Sequence, residues 1–341
     1  MEYLFRYTKQ GNSKAHQMFE RAIALDPKYA VAYAMLGLNY WLGWVLALDP
    51  DPNSLARGVK LEKQAIALDD SLGGAHSMLA ALYMQTDQTD RAITEAERGV
   101  VLDPNSASGY LWLAEVLDEL GKPTQALAAI DKGMRLDPRN ADSYLSQQGF
   151  AYTQLGRLDA AISSLKQYTA RHPGDIWSHD RLAADYAAIG DKDAAQAEIA
   201  EVERAVALES NSAIGYEALA EALNATGRPA EALAAVKKGA GLNPRERYFD
   251  GLRGWAYSQL GHWQEAISVL TRLPSSDGPW SSDFHAMLAV DYLELGRDGA
   301  ARAEIAKTLK IDPRYSLKRG LWSFLADQER FAADLRKLGL K

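Results

Sequence analysis

The stretch "SASGYLWLAEVLDELGKPTQALAAIDKGMRLDPRN", Ser106 to Asn140, decides the fold. Tyr110, Leu113, Ala114 and Leu117 recur every three to four residues, the apolar stripe of an amphipathic helix. Gly121 then offers a residue tolerant of positive φ, where a helix ends. Ala126, Ile130, Gly133 and Leu136 draw a second stripe, and Pro138 stops it because proline has no N–H to donate. Ala114 and Ala126 are small enough to let the two helix axes cross closely. The stretch predicts one antiparallel helix pair.

The pair recurs. Its closing tetrapeptide has counterparts in "ALDP" ending at Pro27, "ALDD" at Asp70, "VLDP" at Pro104, "ARHP" at Pro173, "ALES" at Ser210, "GLNP" at Pro244 and "KIDP" at Pro313. From 70 to 104, 104 to 138 and 210 to 244 the step is 34 residues. A fixed period of this length marks a solenoid, in which each helix pair buries its apolar face only against its neighbours.

The residues inside the period resemble the tetratricopeptide repeat family. The match runs through Tyr33, Leu36, Gly37 and Tyr40; Leu79, Ala80, Tyr83 and Ala92; Gly149, Tyr152, Gly156 and Ala161; and Leu182, Ala183, Tyr186, Gly190 and Ala195. It continues through Leu219, Ala220, Gly227 and Ala232; Gly254, Tyr257, Gly261 and Ala266; and Leu288, Ala289, Tyr292, Gly296 and Ala301. This resemblance implies an all-α, right-handed superhelical solenoid of antiparallel helix pairs, with about eight to nine repeats. Residues 1–29 read as an incomplete first repeat, 30–313 as the solenoid, and 314–341 as C-terminal capping helices.

Three departures from the period stand out. Pro173 to Ser210 spans 37 residues, which predicts a second helix about one turn longer than usual. "LPSSDGPWSSD", 273–283, breaks one repeat early with a loop rich in Ser, Gly and Pro. Pro27 to Asp70 is 43 residues, with "LDP" at 48–50 too early to close a pair. The excess, 43–53, is expected to extend a first helix through Trp44 towards Leu48, with Ser54 capping the helix that follows. Trp44, Val45, Leu46 and Leu48 are then a candidate docking insertion.

Composition excludes several functions. The net charge of −7, without clustered Lys and Arg, argues against general affinity for nucleic acid. The absence of cysteine rules out disulfides, thiolate catalysis and thiolate metal sites. No P-loop, nucleophile elbow or H-E-x-x-H motif is present, and the six histidines are dispersed. No catalytic residue, metal site or cofactor is expected, and the chain reads as a non-enzyme.

Binding is the remaining function, and the family register says where. The resemblance implies that the first helix of each pair lines a concave groove. That register places the aromatics Trp41, Phe150, Trp177, Tyr248 and Trp255 there, with the acids Glu115, Asp118, Glu217 and Glu221. The Lys and Asn of the family's carboxylate clamp are missing: Ala34, Leu38, Ser77, Ala81, Leu111 and Glu115 stand at those positions. An acidic, aromatic groove favours a basic or amphipathic segment of a protein partner over an acidic tail.

A narrower resemblance concerns context. "AHQMFERAIALDPKYAVAYAMLGLNYWLGW", the segment Ala65 to Asn105 and the closing "DLRKLGL" look like the tetratricopeptide region that follows the catalytic domain in bacterial class III adenylate/guanylate cyclase-type signalling proteins. Similar regions follow a DNA-binding domain in some bacterial membrane-anchored regulators. This implies a regulatory module of a larger protein, standing beside a free scaffold and a self-assembling solenoid as readings of the chain. A free-standing chain is expected in the cytoplasm; one attached to an upstream membrane anchor would face the periplasm.

Overall fold

The computed structural model describes residues 8–45, 48, 51, 53–86, 88–243, 248–273, 281–311, 315 and 328–340. Among them every regular element is helical. The chain divides into two compact units, one ending at Tyr144 and the other beginning at Leu145.

In the first unit α1 (Lys9–Leu25) packs on the pair α2 (Ala30–Val45) and α3 (Ser54–Leu68). The pairs α4 (Gly73–Met84) with α5 (Thr89–Leu102) and α6 (Ala107–Glu119) with α7 (Pro123–Leu136) follow, and a 3₁₀ segment (Pro138–Tyr144) closes the unit. The second unit holds α8 (Leu145–Gln154) with α9 (Leu158–Thr169), α10 (Ile176–Ala188) with α11 (Lys192–Leu208), and α12 (Ala213–Ala225) with α13 (Pro229–Leu242). It continues with α14 (Tyr248–Gln259) and α15 (Trp263–Leu270), α16 (Ser281–Glu294) and α17 (Asp298–Ile311), and α18 (Gln328–Lys337). Within each unit, the first helix of a pair packs on its own partner and on the first helix of the next pair. This is the helix-pair solenoid that the 34-residue period predicts.

The sequence signals act as expected at most ends. Gly121 has φ 63°, and the Lys122 N–H returns to the Leu117 carbonyl at 2.8 Å, capping α6. Ala114 and Ala126 are both fully buried at their crossing. The helix α11 runs 17 residues where α7 and α13 run 14, the extra turn that the longer spacing predicts. Two local expectations shift. The residue before α3 is Asn53, and Ser54 is already helical, its hydroxyl donating to the Asp51 carbonyl at 2.8 Å. α15 is only 8 residues long, as the early break predicts, but α16 already begins at Ser281, so 281–283 of the expected loop are helical; residues 274–280 lie outside the described ones.

A longer period is superposed on the repeat. Gly149 and Gly254 each leave a notch filled by a leucine, Leu165 and Leu270; a Cβ at either glycine would stand 2.4 Å from that side chain. The same notch at Gly37 is filled by Glu62. In the next pairs along, His76, His179 and His285 each set Nδ1 at 2.6 Å from a glutamate 19 residues on: Glu95, Glu198 and Glu304. In the pairs after those, Tyr110 and Tyr216 instead face a lysine 22 residues on, Lys132 at 6.0 Å and Lys238 at 5.6 Å from the ring centre. Gly133 and Gly239 of those same pairs receive the rings of Tyr144 and Phe249. Three kinds of joint therefore rotate in fixed order, and the chain is a block of three helix pairs used repeatedly. The boundary between the two units falls at the start of the second block.

Candidate functional site

The inner face of the first unit is made by α2, α4 and α6, and it is apolar at its centre. Trp41 of α2 meets Trp112 of α6 edge-on, with ring centres 5.1 Å apart. They touch because α4 between them shows only Met78, Ala81 and Leu82 on that side. Trp41, expected as a groove anchor, is half-buried in this bridge, and its indole N–H has no acceptor. Beside it Glu115 is half-buried and Asp118 buried. Burial, then the neighbouring Glu119, pushes the Glu115 carboxyl up to about 7.

At the end of α2, Trp44 and Val45 are exposed, while Leu48 is half-buried with its N–H bonded to the Gly43 carbonyl at 2.8 Å. Leu46 lies outside the described residues.

The inner face of α8, α10, α12 and α14 in the second unit is charged at its centre. Arg181 on α10 lies with its guanidinium carbon 5.3 Å from the Phe150 ring centre and a nitrogen 3.7 Å from Glu221 Oε1. Tyr248 of α14 donates its hydroxyl to the other Glu221 oxygen at 3.2 Å. Asp180 is 2% exposed and its Oδ1 has no hydrogen-bond partner. Glu217, half-buried on the turn before Glu221, acts on the same group. Burial raises the Asp180 carboxyl well above its ordinary value, and the Glu221 charge adds to that while Arg181 opposes it. The Glu221 carboxyl is raised for the same reason, with Arg181 and the Tyr248 hydroxyl working against burial.

Asp185 completes the cluster one turn along α10. It is fully buried, and the Thr153 hydroxyl oxygen lies 3.0 and 2.9 Å from its two oxygens. Burial pushes it up to about 7, against the pull of Arg181 and Thr153. The Arg181 guanidinium thus lies among the buried carboxyl groups of Asp180, Asp185 and Glu221, with Glu217 acting on Asp180, and burial favours the protonated forms of those three acids.

Of the residues expected in the groove, Phe150, Glu217, Glu221 and Tyr248 stand in or beside this cluster, and Trp177 stands half-buried on the first turn of α10, next to it in sequence. Trp255 is a correction: it is 1% exposed, part of the continuous core of the second unit, because α16 packs over α14 and seats Phe284 against Gly251. Arg181 and Asp185 were missed. Their signal was present, since Arg181 occupies the large-residue position held elsewhere by Trp112, Met78 and Leu252, and Asp185 one held by Ala151, Ala222 and Ala256. The buried His179, with Glu198 on one ring nitrogen and the Pro173 carbonyl 3.2 Å from the other, is a helix clasp. Among the described residues no group of three His, Asp or Glu side chains could hold a metal ion.

Tetratricopeptide repeat profiles match residues 77–141 and 119–176, 214–237 and 254–276. Those stretches are tetratricopeptide repeats. No curated protein sequence matches it. Among solved structures it is similar to a tetratricopeptide repeat protein from Parabacteroides merdae, at 16% identity over 73% of this chain and 93% of that one, TM-score 0.53. It is similar to the Cut9–Hcn1 hetero-tetramer of the APC/C at 13% identity, over 91% of this chain and 57% of that one, TM-score 0.57. The human IFIT1 dimer with m7Gppp-AAAA matches at 13% identity, over 89% and 77%, TM-score 0.58. At these identities the likeness is one of fold. No described helix is long and apolar enough to cross a membrane.

Proposed function

We propose that this tetratricopeptide chain is a non-catalytic protein-interaction scaffold, and that the inner face of α8, α10, α12 and α14 binds a basic or amphipathic segment of a protein partner. The observation that supports this most is the cluster of acidic side chains, Asp180, Asp185, Glu217 and Glu221, gathered with Arg181 on these first helices. Phe150, Trp177 and Tyr248 add aromatic surface of the kind that dominates binding energy at interfaces. Affinity capture with the full chain, compared with the variant Trp177→Ala, tests the reading. A genuine partner is enriched by the wild type and lost from the variant; identical capture by both overturns it.

A second reading rests on the exposed Trp44 and Val45 at the end of α2. They offer a contact for another domain of a larger signalling protein, of the cyclase-type or regulator class that the sequence resembles, or for a second copy of the chain.

A further inference from the structure

The block repeat turns the molecule into its own control. Leu165 and Leu270, both buried, close the notches at Gly149 and Gly254, whereas an acid, Glu62, closes the notch at Gly37. The two leucines show that this helix crossing has no need of a carboxyl group. Glu62 is 0% exposed, and neither of its carboxyl oxygens has a hydrogen-bond partner.

The helices packed on α3 offer Glu62 no counter-charge among the described residues. The titratable side chains of α2 are Tyr33 and Tyr40, and those of α4 are His76 and Tyr83. Tyr33 donates to the Pro27 carbonyl, Tyr40 accepts from Arg57 at 3.3 Å, His76 is clasped to Glu95, and Tyr83 lies under Lys63 and Arg91. On α3 itself Arg57 and Lys63 are turned to those rings, and Lys60 is exposed. Burial is what acts on the Glu62 carboxyl, and it holds the group well above the ordinary carboxylate value. A neutral acid fills the notch much as leucine does; an ionised one, dry and unpaired, is strongly disfavoured there.

The place of the notch links it to the inner face. α2 and α3 cross tightly at Gly37, where a Cβ added to Gly58 would stand 3.5 Å from the Gly37 carbonyl oxygen. One turn further along α2 is Trp41, which meets Trp112. We propose that Glu62 makes the α2–α3 crossing a proton-operated joint, closed while the carboxyl is neutral and loosened when it gives its proton to solvent and the charge seeks water, so that the seat of Trp41 against Trp112 answers to alkalinity. An acid raised in the folded state leaves the joint tightest below the unfolded-state value of about 4.3 and weakens it as pH climbs, until the folded value is passed. The joint lies in the first unit and stands apart from the partner face proposed in the second.

Hydrogen exchange of the full chain, read peptide by peptide by mass spectrometry between pH ~5 and pH ~9 and corrected for the intrinsic rate at each pH, tests the joint. In the wild type, protection of α2 and α3 should fall by about tenfold or more towards the alkaline end. Glu62→Leu, which imports the residue of the sister crossings, should hold that protection within about twofold across the range. Titration of Glu115 is common to both proteins and drops out of the difference. If Glu62→Leu folds poorly, Glu62→Gln answers the same question, because an amide has no proton to lose in this range and its profile should also be flat. A wild-type profile without the alkaline fall, or a fall that persists in Glu62→Leu or Glu62→Gln, overturns the joint. Either result leaves the second unit's partner face untouched, since affinity capture with Trp177→Ala decides that separately.

Discussion

The first unit seals the middle of its inner face with two tryptophans; the second fills the same register with a guanidinium among carboxyls. Trp112 and Arg181 occupy equivalent places in their helices, and each reaches an aromatic ring on a neighbouring first helix: Trp41 across α4, and Phe150 on α8. One contact needs only dry, close-packed surface. The other involves carboxyl groups that burial holds towards protonation, so its strength depends on pH. The repeat scaffold accepts both because its signature asks for a large side chain at this position and is silent about charge.

Arg181→Met should separate the two regions most sharply. It imports the residue of the sister blocks while leaving the carboxyls behind, and loss of one partner from a buried charge cluster costs about 3–5 kcal/mol. The loss should be full near pH ~8 and much smaller near pH ~5, where Asp180, Asp185 and Glu221 take up protons. Denaturant unfolding followed by circular dichroism at the two pH values reads it; an equal loss at both would break the comparison. Trp112→Ala should cost about 2–3 kcal/mol through lost packing in the tryptophan bridge. Neither ring titrates, so that loss should vary less between the two pH values than the loss in Arg181→Met, the buried Glu115 beside the bridge supplying what variation there is.

The smallest effect concerns the clasps. At His179 burial opposes the charge, but Glu198 and the Pro173 carbonyl outweigh it, and the imidazole is raised above its ordinary value. A raised value in the folded state gives stability that is complete below the unfolded-state value of about 6.5 and disappears as pH climbs through the folded one. His179→Gln should therefore cost about 1–2 kcal/mol near pH ~6 and progressively less on the alkaline side. A pH-independent loss would mean that the histidine serves by shape alone.

Much of this molecule was legible in its sequence, for physical reasons that also explain the rest. Tyr110, Ala114, Gly121 and Pro138 announce a helix pair because stripe, turn and stop are local, and the 34-residue step multiplies that signal. Glu217, Glu221 and Tyr248 could be placed because the register alone fixes which side of a helix they occupy. The Trp41–Trp112 contact could not, since it passes over a whole intervening helix and depends on how small Ala81 is. Trp255 misled because a helix face is only as open as the next pair leaves it, and Phe284 closes this one. Arg181 and Asp185 went unnoticed because the signature expects bulk or smallness at their places and is silent about charge. The histidines looked scattered because their partners lie 19 residues on, across a helix pair, and not one turn away.

The seams between blocks have a consequence for how the chain reaches this structure. After α7 the Tyr144 ring enters the space at Gly133, and after α13 the Phe249 ring enters the matching space at Gly239. The pairs α6–α7 and α12–α13 thus each carry the same kind of lock, a glycine space that receives an aromatic ring from further along the chain. Domain exchange and skipped-block misassembly are characteristic hazards of repeat proteins. The differences between the copies, a phenol in one lock and a phenyl in the other, a glutamate in one notch and leucines in two, make the locks and notches chemically distinct, and exchanging the two rings (Tyr144→Phe with Phe249→Tyr) is the change that would erase the distinction between the locks.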